Sequence, residues 1–142
     1  MNPRLEHGNL TVRDLDEIVR FVRTAFPTFQ VRREGEGMGG GRWLHVGDDD
    51  HYLALTQATD ATAAPREPYD GSIGLNHLGW VVDDVDALRT RLRDAGYRES
   101  TFPNAHPHRK RVYFLDPEGN DWEFVQYFSD DPRERNDYEL DG

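Results

Sequence analysis

The feature that most restricts how this chain can fold is a pattern that occurs twice, about 70 residues apart. The stretch HGNLTVRDLDEIVRFV, beginning at His7, matches HLGWVVDDVDALRTRL, beginning at His77. A shift of 70 sets His7 on His77, Val12 on Val82, Asp14 on Asp84 and Asp16 on Asp86. Apolar positions coincide at Leu10/Trp80, Leu15/Val85, Ile18/Leu88 and Val22/Leu92. Self-similarity of this kind means one supersecondary unit used twice, so both copies must be explained by the same elements.

Each copy opens with residues of alternating character, the signature of a strand with one buried face, and then reaches an Asp suited to start a helix. Asp14 with Glu17 three residues on has the form of a capping box, and Leu15, Ile18, Val19, Val22 and Phe26 make a helical stripe that stops at Pro27. In the second copy Asp84 caps, Val85, Leu88, Leu92 and Ala95 form the stripe, and Gly96 is placed to end it. The remainder of each copy also aligns, now at a shift of 69: RWLHVGDDDHYLAL from Arg42 lies on RVYFLDPEGNDWEF from Arg111 without a gap. Each is read as a hairpin, with a GDDD or DPEG turn between its strands. A further strand is expected near 29–34 and near 98–102. The unit is therefore βαβββ, and the fold class is α+β.

The 142 residues leave room for one compact domain of paired units. The expected division is repeat 1 at about 5–57, a linker at about 58–74, repeat 2 at about 75–128 and an acidic tail at 129–142 that is mobile or draped on the surface. Gly35 to Gly41 reads as a flexible hairpin tip; no helix follows it, so it is not taken as a phosphate loop.

Hydrophobic residues are 36% of the chain, enough for a modest core. With 17 basic against 27 acidic side chains the net charge is −10, which argues against nucleic acid and anionic membrane as partners. There is no cysteine, so a metal here must be held by His and carboxylate. The beginning of the chain carries no basic-then-apolar signal, and its apolar runs reach about five residues where a membrane helix needs about 20. A soluble cytoplasmic protein is the expectation.

A tandem βαβββ in which His opens each copy, a D-L-D or D-V-D helix start follows, and a DPEGN turn leads to Glu123 resembles the vicinal oxygen chelate superfamily. That group includes glyoxalase I, bleomycin-binding proteins, fosfomycin-resistance enzymes and type I extradiol dioxygenases. The resemblance runs from Glu6 to Tyr127. It implies a cup-shaped, partly closed sheet with helices outside and a metal site between the copies. Strand alternation agrees: His7, Asn9 and Thr11 share one face, Leu10 and Val12 the other, while Trp122 and Phe124 face the helix and Glu123 faces away from it.

Carried over residue by residue, the superfamily's ligand positions are His7, His77, Ala54 and Glu123. Ala54 cannot bind metal. What remains, His7, His77 and Glu123, is a two-His, one-carboxylate set of the kind found in non-haem Fe(II) oxygen chemistry. NAHPHRKRVYFLDPEGNDWE from Asn104 is similar to the closing motif of extradiol dioxygenases at His106, Val112, Tyr113, Asp116, Pro117, Gly119 and Glu123. DHYLAL looks like their His-x-Leu-Ala strand and sets His51 on the acid-base histidine. The resemblance thus implies O2-dependent cleavage of a catechol-like vicinal diol on Fe(II), with His51 taking a proton and His106 or Tyr113 hydrogen-bonding the bound phenolate oxygen.

Two other readings stand beside this one. A Mn, Ni or Zn lyase, isomerase or thiol transferase of the superfamily would use the same ligands. A metal-free dimer could instead hold an aromatic drug or metabolite, with Trp43, Trp80, Tyr52 and Tyr69 lining the pocket. A homodimer and a small-molecule substrate are expected in each case.

Overall fold

The computed structural model describes residues 2–140. Its order is β1 (His7–Val12), α1 (Leu15–Ala25), β2 (Gln30–Glu36), β3 (Arg42–Gly47), β4 (Tyr52–Gln57), β5 (His77–Val81), α2 (Val85–Asp94), β6 (Arg98–Glu99), β7 (Arg109–Leu115), β8 (Asp121–Tyr127) and α3 (Pro132–Arg135). The strands form two four-stranded sheets, ordered β1-β4-β3-β2 and β5-β8-β7-β6. The βαβββ unit is present twice, in an α+β fold. By contacts the chain divides into two compact units, Met1–Pro65 and Arg66–Gly142.

In each unit the first strand lies parallel to the last and the other neighbours are antiparallel. A parallel partner needs a crossover, and the amphipathic helix provides it. α1 starts because the Asp14 carboxylate accepts the backbone N–H groups of Asp16 and Glu17, both at 3.1 Å. Asp84 does the same for Ala87 at 2.9 Å. α2 ends where Gly96 adopts φ +87° and Tyr97 N–H reaches back to the Leu92 carbonyl at 3.0 Å, a closure favouring glycine.

The apolar stripes follow the expected periodicity in part: in α1 Phe21 and Ala25 are buried where Val19 and Phe26 stay partly exposed, and in α2 Ala95 is exposed at the C-cap. Leu15, Ile18, Phe21 and Val22 of α1 are buried, as are Val12, Leu44, Val46, Leu53 and Leu55 of the sheet in the same unit. In the second unit Val85, Leu88 and Leu92 are buried, with Val112, Phe114, Trp122 and Phe124 from the strands. Full burial of one such side chain stabilises by roughly 1.5–3 kcal/mol, so the helix-facing surface of each sheet holds its unit together. The opposite face is left for polar residues.

Two expectations are corrected. The hairpins do not align without a gap: Gly47 pairs with Tyr52 across a four-residue turn, whereas Leu115 pairs with Asp121 across a five-residue one. The last strands keep the shift of 69, but β3 lies on β7 at 68, so the counterpart of Tyr113 is His45 rather than Leu44. The strand expected near 98–102 has only Arg98 and Glu99 in the ladder, although Ser100 N–H still bonds the Tyr113 carbonyl at 2.8 Å. The tail is docked within its unit. Asp131 caps α3, Arg109 donates to the Arg135 carbonyl at 2.9 Å, and the Arg135 guanidinium lies 4.4 Å from the Tyr127 ring centroid. Residues 141 and 142 of the expected tail lie outside the described residues.

The DPEG turn has its own cause. Asp116, 5% exposed, accepts from the backbone N–H of Glu118 and Asn120, the Asn120 amide and the Trp122 indole, at 2.9 to 3.1 Å. Removing the acceptor leaves buried donors unpaired, at 1–3 kcal/mol for each group that water cannot reach. Asp116→Ala is expected to lose on the order of 3 kcal/mol in urea unfolding.

Glu99 ties β6 to α2, accepting from Arg89 at 2.5 and 2.9 Å and from Arg93 at 3.0 Å. The Arg89 hydrogen bonds chiefly hold its carboxyl below the ordinary 4.5, against the opposing effect of burial, and Arg93 adds to them. A carboxyl whose native pKa is depressed contributes in full above its unfolded value and loses that contribution as pH falls through the native one. Glu99→Gln is therefore expected to be less stable than wild type by about 1 kcal/mol at neutral pH, with the gap closing below pH 4.5 in parallel melts.

Candidate metal centre

In the second unit the parallel pairing of β5 with β8 sets His77 opposite Asp121 and Gly79 opposite Glu123, while Tyr113 of β7 pairs with Glu123 from the other side. Paired residues share a face, so His77, Tyr113, Asp121 and Glu123 emerge together on the surface away from α2. His77 Nε2 lies 3.0 Å from Glu123 Oε2, with side chains 34% and 16% exposed. The Tyr113 phenol hydrogen-bonds Glu123, and its ring meets His77 edge-on at 5.9 Å. Burial first, and then the Glu123 charge, push the Tyr113 phenol up, so at neutral pH it keeps its proton and donates.

The other side of the His77 ring is also bonded. The Tyr69 hydroxyl is in close contact with His77 Nδ1 and donates to Asp121 Oδ2 at 3.2 Å. Asp121, 7% exposed, accepts from Ser100 Oγ at 2.6 Å through its second oxygen. Burial, then the Asp121 charge and hydrogen bond, push the Tyr69 phenol up to about 12.

In the first unit β1 pairs with β4 in the same way, and the equivalent positions hold His7 opposite Tyr52, and Asn9 and His45 opposite Ala54. Ala54 is buried and offers no donor atom. The His7 and Tyr52 rings stack at 4.7 Å, His45 and Tyr52 at 4.7 Å, and Trp43 follows at 5.2 Å from His45. The Arg32 guanidinium lies 4.3 Å from the Tyr52 ring centroid. Burial first, then Arg32 and His7, lower the His45 pKa, which favours the neutral ring. His7 Nδ1 is 3.0 Å from Glu6 Oε1.

The donor chemistry of His77 and Glu123 fits a divalent ion. Two donors each about 2.1 Å from one ion and at right angles stand about 3.0 Å apart, the separation observed here. His7 and His77 both engage Nδ1, which directs Nε2 to any ion, the usual arrangement of a ligating imidazole. Among the described residues no group of three or more His, Asp or Glu side chains stands together as a metal site. His77 and Glu123 meet within the second unit, and His7 belongs to the first.

Two residues expected in catalysis lie outside the His77–Glu123 face, and one of them, His106, has both ring nitrogens engaged. His51 lies in the β3–β4 turn, not in the strand; its Nδ1–H donates to the Leu5 carbonyl at 2.9 Å and its backbone N–H to Asp48 at 2.8 Å. The His106 ring accepts the His108 N–H at Nδ1, 3.1 Å, and donates from Nε2 to the Asp137 carbonyl at 3.0 Å, fastening the tail. Both its nitrogens are occupied. Trp80, expected in an aromatic pocket, stacks on the buried Trp122 at 6.2 Å, and Tyr69 is bound to His77. Sequence reasoning missed Asp121, Ser100 and His45. Asp121 was recoverable, since it precedes Glu123 by two residues and must share its face.

The family model of the Glyoxalase/Bleomycin resistance protein/Dioxygenase superfamily matches residues 4–124, and the chain belongs to that superfamily. No curated protein matches it. Among solved structures it is similar to a glyoxylase/bleomycin resistance protein/dioxygenase domain from Frankia sp. EAN1pec, at 23% identity and a TM-score of 0.71, covering 89% of this chain and 99% of that one. It is similar to a mutant fosfomycin resistance protein, FosX, from Listeria monocytogenes, complexed with Mn(II) and 1S,2S-dihydroxypropylphosphonic acid: 15% identity, TM-score 0.69, covering 96% and 100%. It also resembles TnmS3, an antibiotic binding protein from Streptomyces sp. CB03234, at 23% identity and TM-score 0.63, covering 89% and 97%. At these identities the likeness establishes the fold. No helix among the described residues is long and apolar enough to cross a membrane.

Proposed function

We propose that this protein is a divalent-metal enzyme acting on a small substrate that chelates through oxygen, with His77 and Glu123 of the second unit as metal ligands. The observation that carries this reading is the facing of His77 Nε2 and Glu123 Oε2 at 3.0 Å on a partly exposed strand surface. Two further features support it: His77 bonds through Nδ1, and Tyr113 orients the carboxylate. The FosX relative is complexed with Mn(II).

When bound, such an ion acts as a Lewis acid that polarises coordinated oxygen and lowers its pKa. The residues around it position and exclude. Tyr113 holds Glu123 and offers a phenol that stays protonated at neutral pH, and Phe102 covers Tyr113 at 5.0 Å between ring centroids.

This ligand set is open to Lewis-acid lyase, isomerase or transfer chemistry and to O2-dependent cleavage of a catechol. For ring cleavage the expected residues are His51 as proton acceptor and His106 or Tyr113 on the phenolate oxygen: both His106 nitrogens are engaged, Tyr113 stands beside Glu123, and His51 uses Nδ1 alone, on the Leu5 carbonyl. Mn(II), Zn(II) and Ni(II) are accordingly ranked with Fe(II) rather than below it. A second reading rests on the row Trp43, His45, Tyr52 and His7, a stacking surface suited to a planar aromatic ligand bound without metal.

Calorimetric titration of metal-stripped protein with Mn(II), Zn(II) and anaerobic Fe(II) is expected to give one ion per chain. Glu123→Ala and His77→Ala should each lower affinity by about 100-fold or more, while the melting temperature of the stripped protein stays close to wild type. Absence of stoichiometric binding, or an unchanged Glu123→Ala, sinks the metal reading and leaves the aromatic binder. Oxygen uptake by the Fe(II) form on a panel of catechols would select ring cleavage among these reactions.

A further inference from the structure

We infer that the C-terminal segment 131–138 is the end wall of the substrate site, closing the open face of the second sheet beyond the Arg111–Val125 rung and limiting the site to compact chelators. What the site holds rests on the proposed metal centre, while the wall itself follows from strand parity. Lys110 Nζ bonds Asp86, and the Gln126 side chain accepts the Val85 N–H, so both residues face α2. Arg109, Arg111 and Tyr113 of β7 and Glu123, Val125 and Tyr127 of β8 therefore emerge on the other face, the one that carries His77. Outward from the candidate ligands the rungs are Tyr113 with Glu123, Arg111 with Val125, and Arg109 with Tyr127. The tail lies on the last of these. Arg109 is only 6% exposed: its Nη1 donates to the Arg135 carbonyl at 2.9 Å, and the Tyr138 ring centroid lies 5.4 Å from its guanidinium. The Arg135 guanidinium in turn covers Tyr127, 4.4 Å from the ring centroid.

A second fastening ties the tail to the loop before β7. His106 Nε2 donates to the Asp137 carbonyl at 3.0 Å, and His108 Nδ1 lies 3.7 Å from Glu134 Oε2. The same loop carries Phe102, whose ring stands 5.0 Å from that of Tyr113 and 5.8 Å from the Arg111 guanidinium. Loop and tail thus bound the face together, one along its β7 side and the other across its far end, and His106 is the positioning residue that joins them. At the near end the Tyr69 hydroxyl spans the His77–Asp121 rung. Between the two ends lies the rung of Val81, Val125 and Arg111, with Val81 65% exposed. Glu123 and Tyr127 are about 13 Å apart along β8, at about 3.3 Å per residue, and the Arg135 guanidinium takes up the far part of that length. A chelator one ring long fits this interval. One extended by a second ring meets Arg135.

The test uses the full chain as wild type, His106→Ala and Arg135→Ala. Anaerobic calorimetry of the Mn(II)-loaded protein with catechol and 4-phenylcatechol as probe chelators reads length selection, and hydrogen exchange of the metal-free protein reads the fastening. Wild type is expected to bind catechol about tenfold or more tighter than 4-phenylcatechol, and both variants should bring the two affinities together. In exchange, the Arg135 and Asn136 amides, held by the Asp131 and Pro132 carbonyls, should lose protection in His106→Ala. The His108 amide, held by His106 Nδ1, should lose protection in Arg135→Ala. Equal binding of the two diols by wild type, a ratio unmoved by both variants, or tail amides that exchange freely in wild type overturns the wall. If wild type binds no Mn(II), the metal reading falls and the exchange pattern alone decides the wall: protection lost across the joint in both variants supports it, and tail amides unmoved by His106→Ala overturn it.

Discussion

Everything at the candidate site follows from the parallel pairing of the first strand of each unit with its last. β5 meets β8 in a register that puts His77 beside Asp121 and Gly79 beside Glu123, although 44 residues separate the two strand starts. A shift of one residue would turn Glu123 into the layer beneath α2 and bring Trp122 or Phe124 out, because side chains alternate with period two. The buried Trp122 and Phe124 therefore do more than fill the core: their burial fixes which way Glu123 points. The chemistry of one face is set by the packing of the other.

The two units use this frame differently. Both present a histidine at the start of the first strand, with its Nδ1 bonded within the unit. In the second unit the neighbouring rungs carry acids and phenols: Asp121, Glu123 and Tyr113. In the first they carry Tyr52, Ala54 and His45, a row of rings with Arg32 over it and no carboxylate at the last-strand position. One unit thus has the polar equipment of a metal site and the other a stacking surface with a single ligating candidate. The same strand frame thus carries three different side chains on the open face of each unit: Tyr52, Ala54 and His45 in one, Asp121, Glu123 and Tyr113 in the other.

Much of this was legible in the residues. The stripes of α1 and α2, their Asp caps and Gly96 follow from local rules that depend on near neighbours alone, and the structure has them at those positions. His77 and Glu123 were readable because alternation assigns a face without knowing the partner strand. The hairpin offset was not, because a four-residue and a five-residue turn look alike when Arg42 and Arg111 coincide by chance. His51 and His106 show the same limit from the other side. A motif gives a residue's position along the chain, but which ring nitrogens stay free depends on the groups that lie beside it, and Leu5 and Asp137 are 46 and 31 residues away.

The sequence by itself determined the tandem βαβββ plan, most of the buried stripes of α1 and α2 and the faces of β1 and β8, since hydrophobic period and capping act over a few residues. Only the tertiary structure decided that His77 is gripped through Nδ1 by Tyr69, that Asp121 aims that phenol, and that the tail claims His106. These are hydrogen bonds between groups far apart in the chain, and their polarity depends on which donor meets which acceptor after the sheets have formed.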